Sequence, residues 1–172
     1  MPPRDSDATV AAQTFQRLVG PWVEEMYRAA AAIVGEADAR DVTQESLLDA
    51  WRGFTGLRDR DRLRPWLHAI VANRSRKHLR AQRSRPRFVA VSSLPEGAVD
   101  DRSAAIAERD RLDRAFDGLP VEQRIAVALH YGLDLSVPQV AAALSVPEGT
   151  VKSRVHAAAD RLRATLAEED ER

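Results

Sequence analysis

Residues 136–154 constrain the chain more than any other stretch: Ser-Val-Pro-Gln-Val-Ala-Ala-Ala-Leu-Ser-Val-Pro-Glu-Gly-Thr-Val-Lys-Ser-Arg. They read as two helices joined by a tight turn. Ser136 is the expected N-cap, with Gln139 as its capping-box partner three residues on. Val137, Val140, Ala141 and Leu144 give the first helix an apolar stripe. Pro147 fits the first turn of the second helix, where a missing N–H costs little. Val151, Val155 and Leu162 are expected to point inward. Thr150, Lys152, Ser153, Arg154 and His156 are left for solvent or a ligand. A helix pair of this kind can place its second helix in the DNA major groove. The same pattern also suits an ordinary helical hairpin packed in a core, so the remainder of the chain decides.

Several chemistries are excluded by composition. The chain has 172 residues and no cysteine, which removes disulfides, thiolate metal sites and cysteine nucleophiles. His68, His78, His130 and His156 have no i,i+4 pairing that would suggest a metal. No Walker, G-x-G-x-x-G or G-x-S-x-G motif occurs. We expect no catalytic residue, no cofactor and no membrane insertion, in a soluble cytoplasmic protein. The 26 basic and 26 acidic side chains cancel, yet they are segregated. Arg74, Arg76, Lys77, Arg80, Arg83, Arg85 and Arg87 form a basic run, and residues 168–171 are acidic.

Periodicity predicts helices throughout. One runs from about Thr9 to Val19 and breaks at Gly20-Pro21. The next carries Trp22, Val23, Met26, Tyr27, Ala30, Ile33 and Val34, and Gly35 stops it. Asp38 is expected to cap a third helix, with Asp41 in its first turn. That helix should bury Val42, Leu47, Leu48, Trp51 and Phe54. Thr55 to Arg62 reads as a loop. A fourth helix follows, with Pro65 in its first turn and a stripe of Leu63, Trp66, Leu67, Ile70 and Val71. Trp66 is expected in the core, beside Ile70. Periodicity then vanishes from about Ser84 to Ser103, apart from a weak strand signal at residues 88–91. A structureless stretch this long marks a domain boundary. Helices resume with Ile106, Leu112, Phe116 and Leu119, and again from Pro120 to Gly132. The expected fold is all-α: two small helical domains, residues 9–83 and 104–168, joined by a flexible linker at 84–103 that leaves them free to separate.

Three blocks, in order, carry a resemblance. Residues 39–51 (Ala-Arg-Asp-Val-Thr-Gln-Glu-Ser-Leu-Leu-Asp-Ala-Trp) are the first. Residues 64–80, from Arg64-Pro65-Trp66 to His78-Leu79-Arg80, are the second. Leu119-Pro120 with residues 147–154 form the third. Together they resemble the extracytoplasmic-function (ECF) class of bacterial RNA polymerase sigma factors, over about residues 12–83 and 106–166. The resemblance implies region 2 in the first domain and region 4 in the second. It implies docking on core RNA polymerase, on the β′ clamp through Asp41, Val42, Gln44, Glu45, Leu48 and Trp51, and on the β flap through region 4. It assigns Asn73, Arg74, Arg76, Lys77, Arg80 and Arg83 to the promoter −10 element. Thr150, Lys152, Ser153, Arg154 and His156 fall to the −35 element. An anti-sigma factor is a further partner common in the class.

Each block also has a physical reading. Asp41, Gln44, Glu45 and Leu48 recur at three- and four-residue steps and share a helix face suited to a basic, partly apolar surface. A row of Arg and Lys neutralises phosphates, and Asn can bond a base edge. Many members of the class carry Asp where this chain has Lys77, which makes its helix more cationic. They also carry arginines where this chain has Ala157, Ala158 and Ala159. The competing reading is a helix-turn-helix regulator that binds duplex DNA without polymerase, usually as a dimer. That account gives residues 1–83 no task and finds no heptad seam.

Overall fold

The computed structural model describes residues 5–54, 57, 59–83 and 101–170. Helix α1 spans Asp5–Val19, and a 3-10 turn at Gly20–Trp22 absorbs Pro21. Helix α2, Val23–Val34, buries Met26, Ala29, Ala30 and Ile33, the i, i+3, i+4, i+7 spacing of one helix face. Gly35 then turns the chain with a φ of 88°. A side chain rarely tolerates that backbone, and glycine does. Its N–H closes α2 on the Ala31 carbonyl at 2.9 Å, and its own carbonyl accepts from Ala39 N–H at 3.1 Å. One residue therefore ends α2 and opens α3, Glu36–Gly53. Asp38 is not the cap: it lies within the first turn, where it accepts from Gln82 at 2.7 Å and pairs with His78 at 3.2 Å.

The inward face of α3 is Ala39, Val42, Thr43, Ser46 and Ala50. Thr43 and Ser46 donate to the carbonyls of Ala39 and Val42, each at 2.7 Å, so their hydroxyls are satisfied without water. Leu48 and Trp51, expected in the core, are instead 54% and 41% exposed. Helix α4, Leu63–Arg83, packs on α2 and α3 through Leu67, Val71, Ala72, Ser75 and Leu79. Trp66 is half-buried against the core, close to the α carbon of Gly53. Buried His68 meets Glu25 of α2 at 2.8 Å, and Arg64 meets the same carboxylate at 2.8 Å. Burial holds the His68 imidazole below its ordinary pKa, against the pull of Glu25. The neutral ring donates Nε2–H to the carboxylate.

The C-terminal half contains α5 (Asp101–Asp117), α6 (Val121–Val127), a π-type turn at Ala128–Gly132, α7 (Val137–Leu144) and α8 (Glu148–Asp170). Helix α5 begins three residues inside the stretch expected as linker; residues 84–100, the rest of that stretch, and the weak strand signal lie outside the described residues. Leu112 of α5 is exposed rather than part of a core stripe. The Ser136 capping box forms in both directions: Gln139 N–H donates to Ser136 Oγ at 3.4 Å, and Ser136 N–H donates to Gln139 Oε1 at 2.8 Å. Ser136→Ala should lower stability by about 1 kcal/mol in urea unfolding at unchanged m-value. A variant as stable as wild type would mean the box contributes nothing. Ser145 closes α7 in the left-handed conformation, with Val146 N–H returning to the Ala141 carbonyl at 3.1 Å. Pro147 sits one residue before α8 rather than inside it, and its carbonyl accepts from Thr150 N–H at 2.9 Å. Val151 and Ala158 face the core. At its far end α8 is held to α5 by Arg111, which pairs with Glu169 at 3.1 Å and Asp170 at 2.6 Å.

The two halves do not stand apart. Helix α2 packs on the 128–132 turn, and α4 packs on α6 and α7. One continuous core runs from Val19 and Ile33 to Ile125, Leu129, Val140 and Val151. The approach is close because the surfaces are small: a Cβ on Gly132 would lie 3.0 Å from the Ala32 Cβ. Arg124, 7% exposed, donates across the junction to the carbonyl of Ile33 at the end of α2. Asp117 pairs with it at 2.5 Å and the Phe116 ring lies 5.2 Å beneath it. A buried guanidinium thus caps a helix of the other domain.

Candidate polymerase and nucleic-acid interfaces

Three faces carry the residues singled out from sequence. On α3, Asp41, Gln44, Glu45, Leu48 and Trp51 are all exposed and follow one another at helical spacing. Trp51 is held edge-on by Phe15 of α1 at 5.2 Å, and Phe15 meets Phe54 in the same way. The face is an apolar ridge edged by carboxylates. Val42 does not belong to it: at 1% exposure it lies in the core and cannot touch a partner in this state.

On α4 the basic row splits. Asn73 and Lys77 are exposed. Arg74 turns toward α3, bonding both oxygens of Asp49 and reaching Glu45 at 3.2 Å. The hydrogen bond from Arg74 holds the Asp49 carboxyl below the usual range, against partial burial. Arg74 is therefore fixed by acids of its own domain. Arg76, Arg80 and Arg83 turn toward the C-terminal half. Arg76 bonds Glu122 of α6 through Nε at 2.7 Å and Nη2 at 3.1 Å. Arg80 reaches the same carboxylate at 3.3 Å, and Arg83 donates to the Leu119 carbonyl at 2.7 Å.

On α8, Lys152, Ser153 and His156 are exposed and Thr150 is half-buried. Ser153 Oγ donates to the Thr150 carbonyl at 3.0 Å. His156 faces Asp160 at 3.4 Å. Arg154 turns inward, its Nη1 3.5 Å from Glu122. That nitrogen is buried without hydrogen-bond geometry, so the contact is a charge contact only. The Arg76 hydrogen bond is the main reason the Glu122 carboxyl sits below the ordinary range, against the opposing effect of burial.

Sequence reasoning passed over Glu122, Asp49 and Arg124. No local motif marks them; only tertiary packing joins them to their partners. Among the described residues no cluster of His, Asp and Glu could hold a metal, and no helix is long and apolar enough to cross a membrane.

This architecture matches known proteins along most of its length. Sigma-70 region 2 matches residues 18–85, and Sigma-70, region 4 matches residues 109–162. The chain is 37% identical over 129 residues to the ECF RNA polymerase sigma factor SigM of Mycobacterium tuberculosis, which is 75% of this chain and 64% of SigM. It thus spans just under two thirds of that relative. It is 33% identical over 165 residues to SigL of the same organism, 94% of this chain and 93% of SigL. The solved structure of CnrH in complex with the cytosolic domain of CnrY superposes with a TM-score of 0.64 at 27% identity, covering 95% of this chain and 98% of that one. The chain belongs to the sigma-70 family of RNA polymerase sigma factors, within the ECF class.

Proposed function

We propose that this chain is a promoter-recognition subunit. It joins core RNA polymerase through the α3 ridge of Asp41, Gln44, Glu45, Leu48 and Trp51, reads the −10 element with α4 and the −35 element with the start of α8. The observation that carries this reading is the pairing of an outward acidic and apolar ridge in one half with an exposed second helix of a helix-turn-helix in the other. Polymerase performs the chemistry, and this chain supplies position and specificity in the cytoplasm. Core polymerase meets it at the β′ clamp through α3 and at the β flap through the C-terminal half. Asn73 and Lys77 are the exposed α4 groups that would meet a melted strand, Asn73 through its amide N–H, since its Oδ1 accepts from Arg76. Lys152 and Ser153 meet base edges or phosphates, while Ala157 and Ala159, on either side of the buried Ala158, supply at most a methyl contact. An anti-sigma factor is a further partner under this reading, and it would compete for the α3 ridge.

Run-off transcription with core polymerase on a library of genomic promoters tests this. Discrete start sites that depend on the chain are expected, with little DNA binding when polymerase is absent. Lys152→Ala should weaken −35 binding and lower the slope of log K against log salt by about one. Tight sequence-specific duplex binding without polymerase, and no transcript with it, would favour the regulator reading instead.

A further inference from the structure

We propose that Glu122 is an internal stand-in for DNA phosphate: it gathers arginines from both DNA-reading helices and holds the free chain shut. This inference rests on the roles given to α4 and α8 above. Arg76 grips the carboxylate with two parallel bonds, at 2.7 and 3.1 Å, the fork geometry that guanidinium also uses on phosphate. Arg80 from the next turn of α4 adds a third bond at 3.3 Å. Arg154, from the first turns of α8, lies 3.5 Å away without a hydrogen bond. One negative charge thus meets three positive ones. A phosphate backbone with closely spaced charges offers the same guanidinium groups several such partners.

The geometry makes the two uses of these side chains exclusive. Arg76 and Arg154 sit on different domains and converge on a single carboxylate in the junction. Their side chains are 19% and 24% exposed, and the two Arg76 donors aimed at Glu122 are already used, so neither side chain is presented to a DNA backbone as it stands. Arg83 seals the same junction on the Leu119 carbonyl, and Arg124 seals it on the Ile33 carbonyl. Behind the charges, the bare α carbon of Gly132 lets the turn lie flat on Ala32. DNA and Glu122 therefore compete for the same cations, and separating the halves is the step that hands them over.

The full chain permits a direct test. It has no cysteine, so Arg52→Cys and Arg163→Cys place one label on each half at side chains 70% and 72% exposed. Inter-label distances are measured without DNA, and duplex DNA affinity is measured without polymerase. Glu122→Gln, close in shape and neutral, should lengthen and broaden the distances. It should also tighten duplex binding by about 5–150-fold, the usual range of coupling between two states. Glu148→Gln makes the same charge change on exposed α8 and should leave the distances unaltered, with a smaller effect on binding. Gly132→Val wedges the junction without touching a charge and should open the chain and tighten DNA binding as Glu122→Gln does. If Glu122→Gln keeps the wild-type distances, Glu122 does not hold the chain shut. If either variant opens the chain without tightening DNA binding, the carboxylate is not a competitor of DNA. A chain that opens and binds as expected, yet directs no transcript with core polymerase, would leave the Glu122 assignment standing and remove the promoter-recognition reading.

Discussion

Replacing Asp41, Gln44 and Leu48 together with alanine is expected to abolish co-purification with core RNA polymerase, and run-off transcription with it. Leu48 is 54% exposed on α3, flanked by Trp51 and by the carboxylates of Asp41 and Glu45. An apolar anchor ringed by charge is the arrangement that concentrates binding energy in few side chains. Losing that one anchor at about 2 kcal/mol, together with two polar contacts at about 1 kcal/mol each, amounts to roughly a thousandfold in affinity. Exposed positions of this kind change folding stability by only about 0.5 kcal/mol. Helical content and unfolding midpoint should therefore stay near wild type. A triple variant that still co-purifies with core would place the docking surface elsewhere.

Leu129→Ala should destabilise both halves of the chain at once, by about 2–5 kcal/mol. The side chain is fully buried, in the turn that packs on α2, α6 and α7. Alanine leaves a cavity where the two halves meet, and the surrounding helices can collapse only partly into it. In a chain of this length each kcal/mol shifts the melting temperature by about 2–4 °C. Because the core is continuous, melting should remain a single transition at a lower temperature, read by calorimetry or circular dichroism. Two separated transitions, only one of them shifted, would show that the halves fold independently and that their shared core is weak.

What could be read from the sequence was local. The Ser136–Gln139 box spans four residues, and its partners cannot be far apart. Helix breaks at Gly20-Pro21 and Gly35 rest on the backbone preferences of single residues. The inner face of α3 was misread because it is not hydrophobic in type. Thr43 and Ser46 bury there by returning their hydroxyls to the helix's own carbonyls. Leu48, six residues and about 240° around the helix from Val42, is left outside. A hydropathy stripe counts both as core and cannot tell the ridge from the interior. Long-range charge was hidden for a different reason. Arg74 and Asp49 are 25 residues apart, and Arg76 and Glu122 are 46 apart. Nothing in the order of residues says which acid a given arginine will meet. The basic row of α4 therefore looked like one uniform surface, and packing divides it into an exposed pair, an internally bonded Arg74 and a set facing the second half.

The shared junction also orders events at the ribosome. Helix α2 is complete at Val34, while the turn that covers Ala32 ends only at Gly132. At about 5–20 residues per second, roughly 5–20 s of synthesis separate the two. During that interval α2 has no cover over Ala32, the Ile33 carbonyl lacks Arg124, and Arg76 and Arg80 have no Glu122. A nascent N-terminal half therefore presents Arg76, Arg80 and the Ala32 side of α2, which α3 and α4 leave uncovered, before the second half meets them. Anything that engages the chain before residue 132 is made meets that unshielded side.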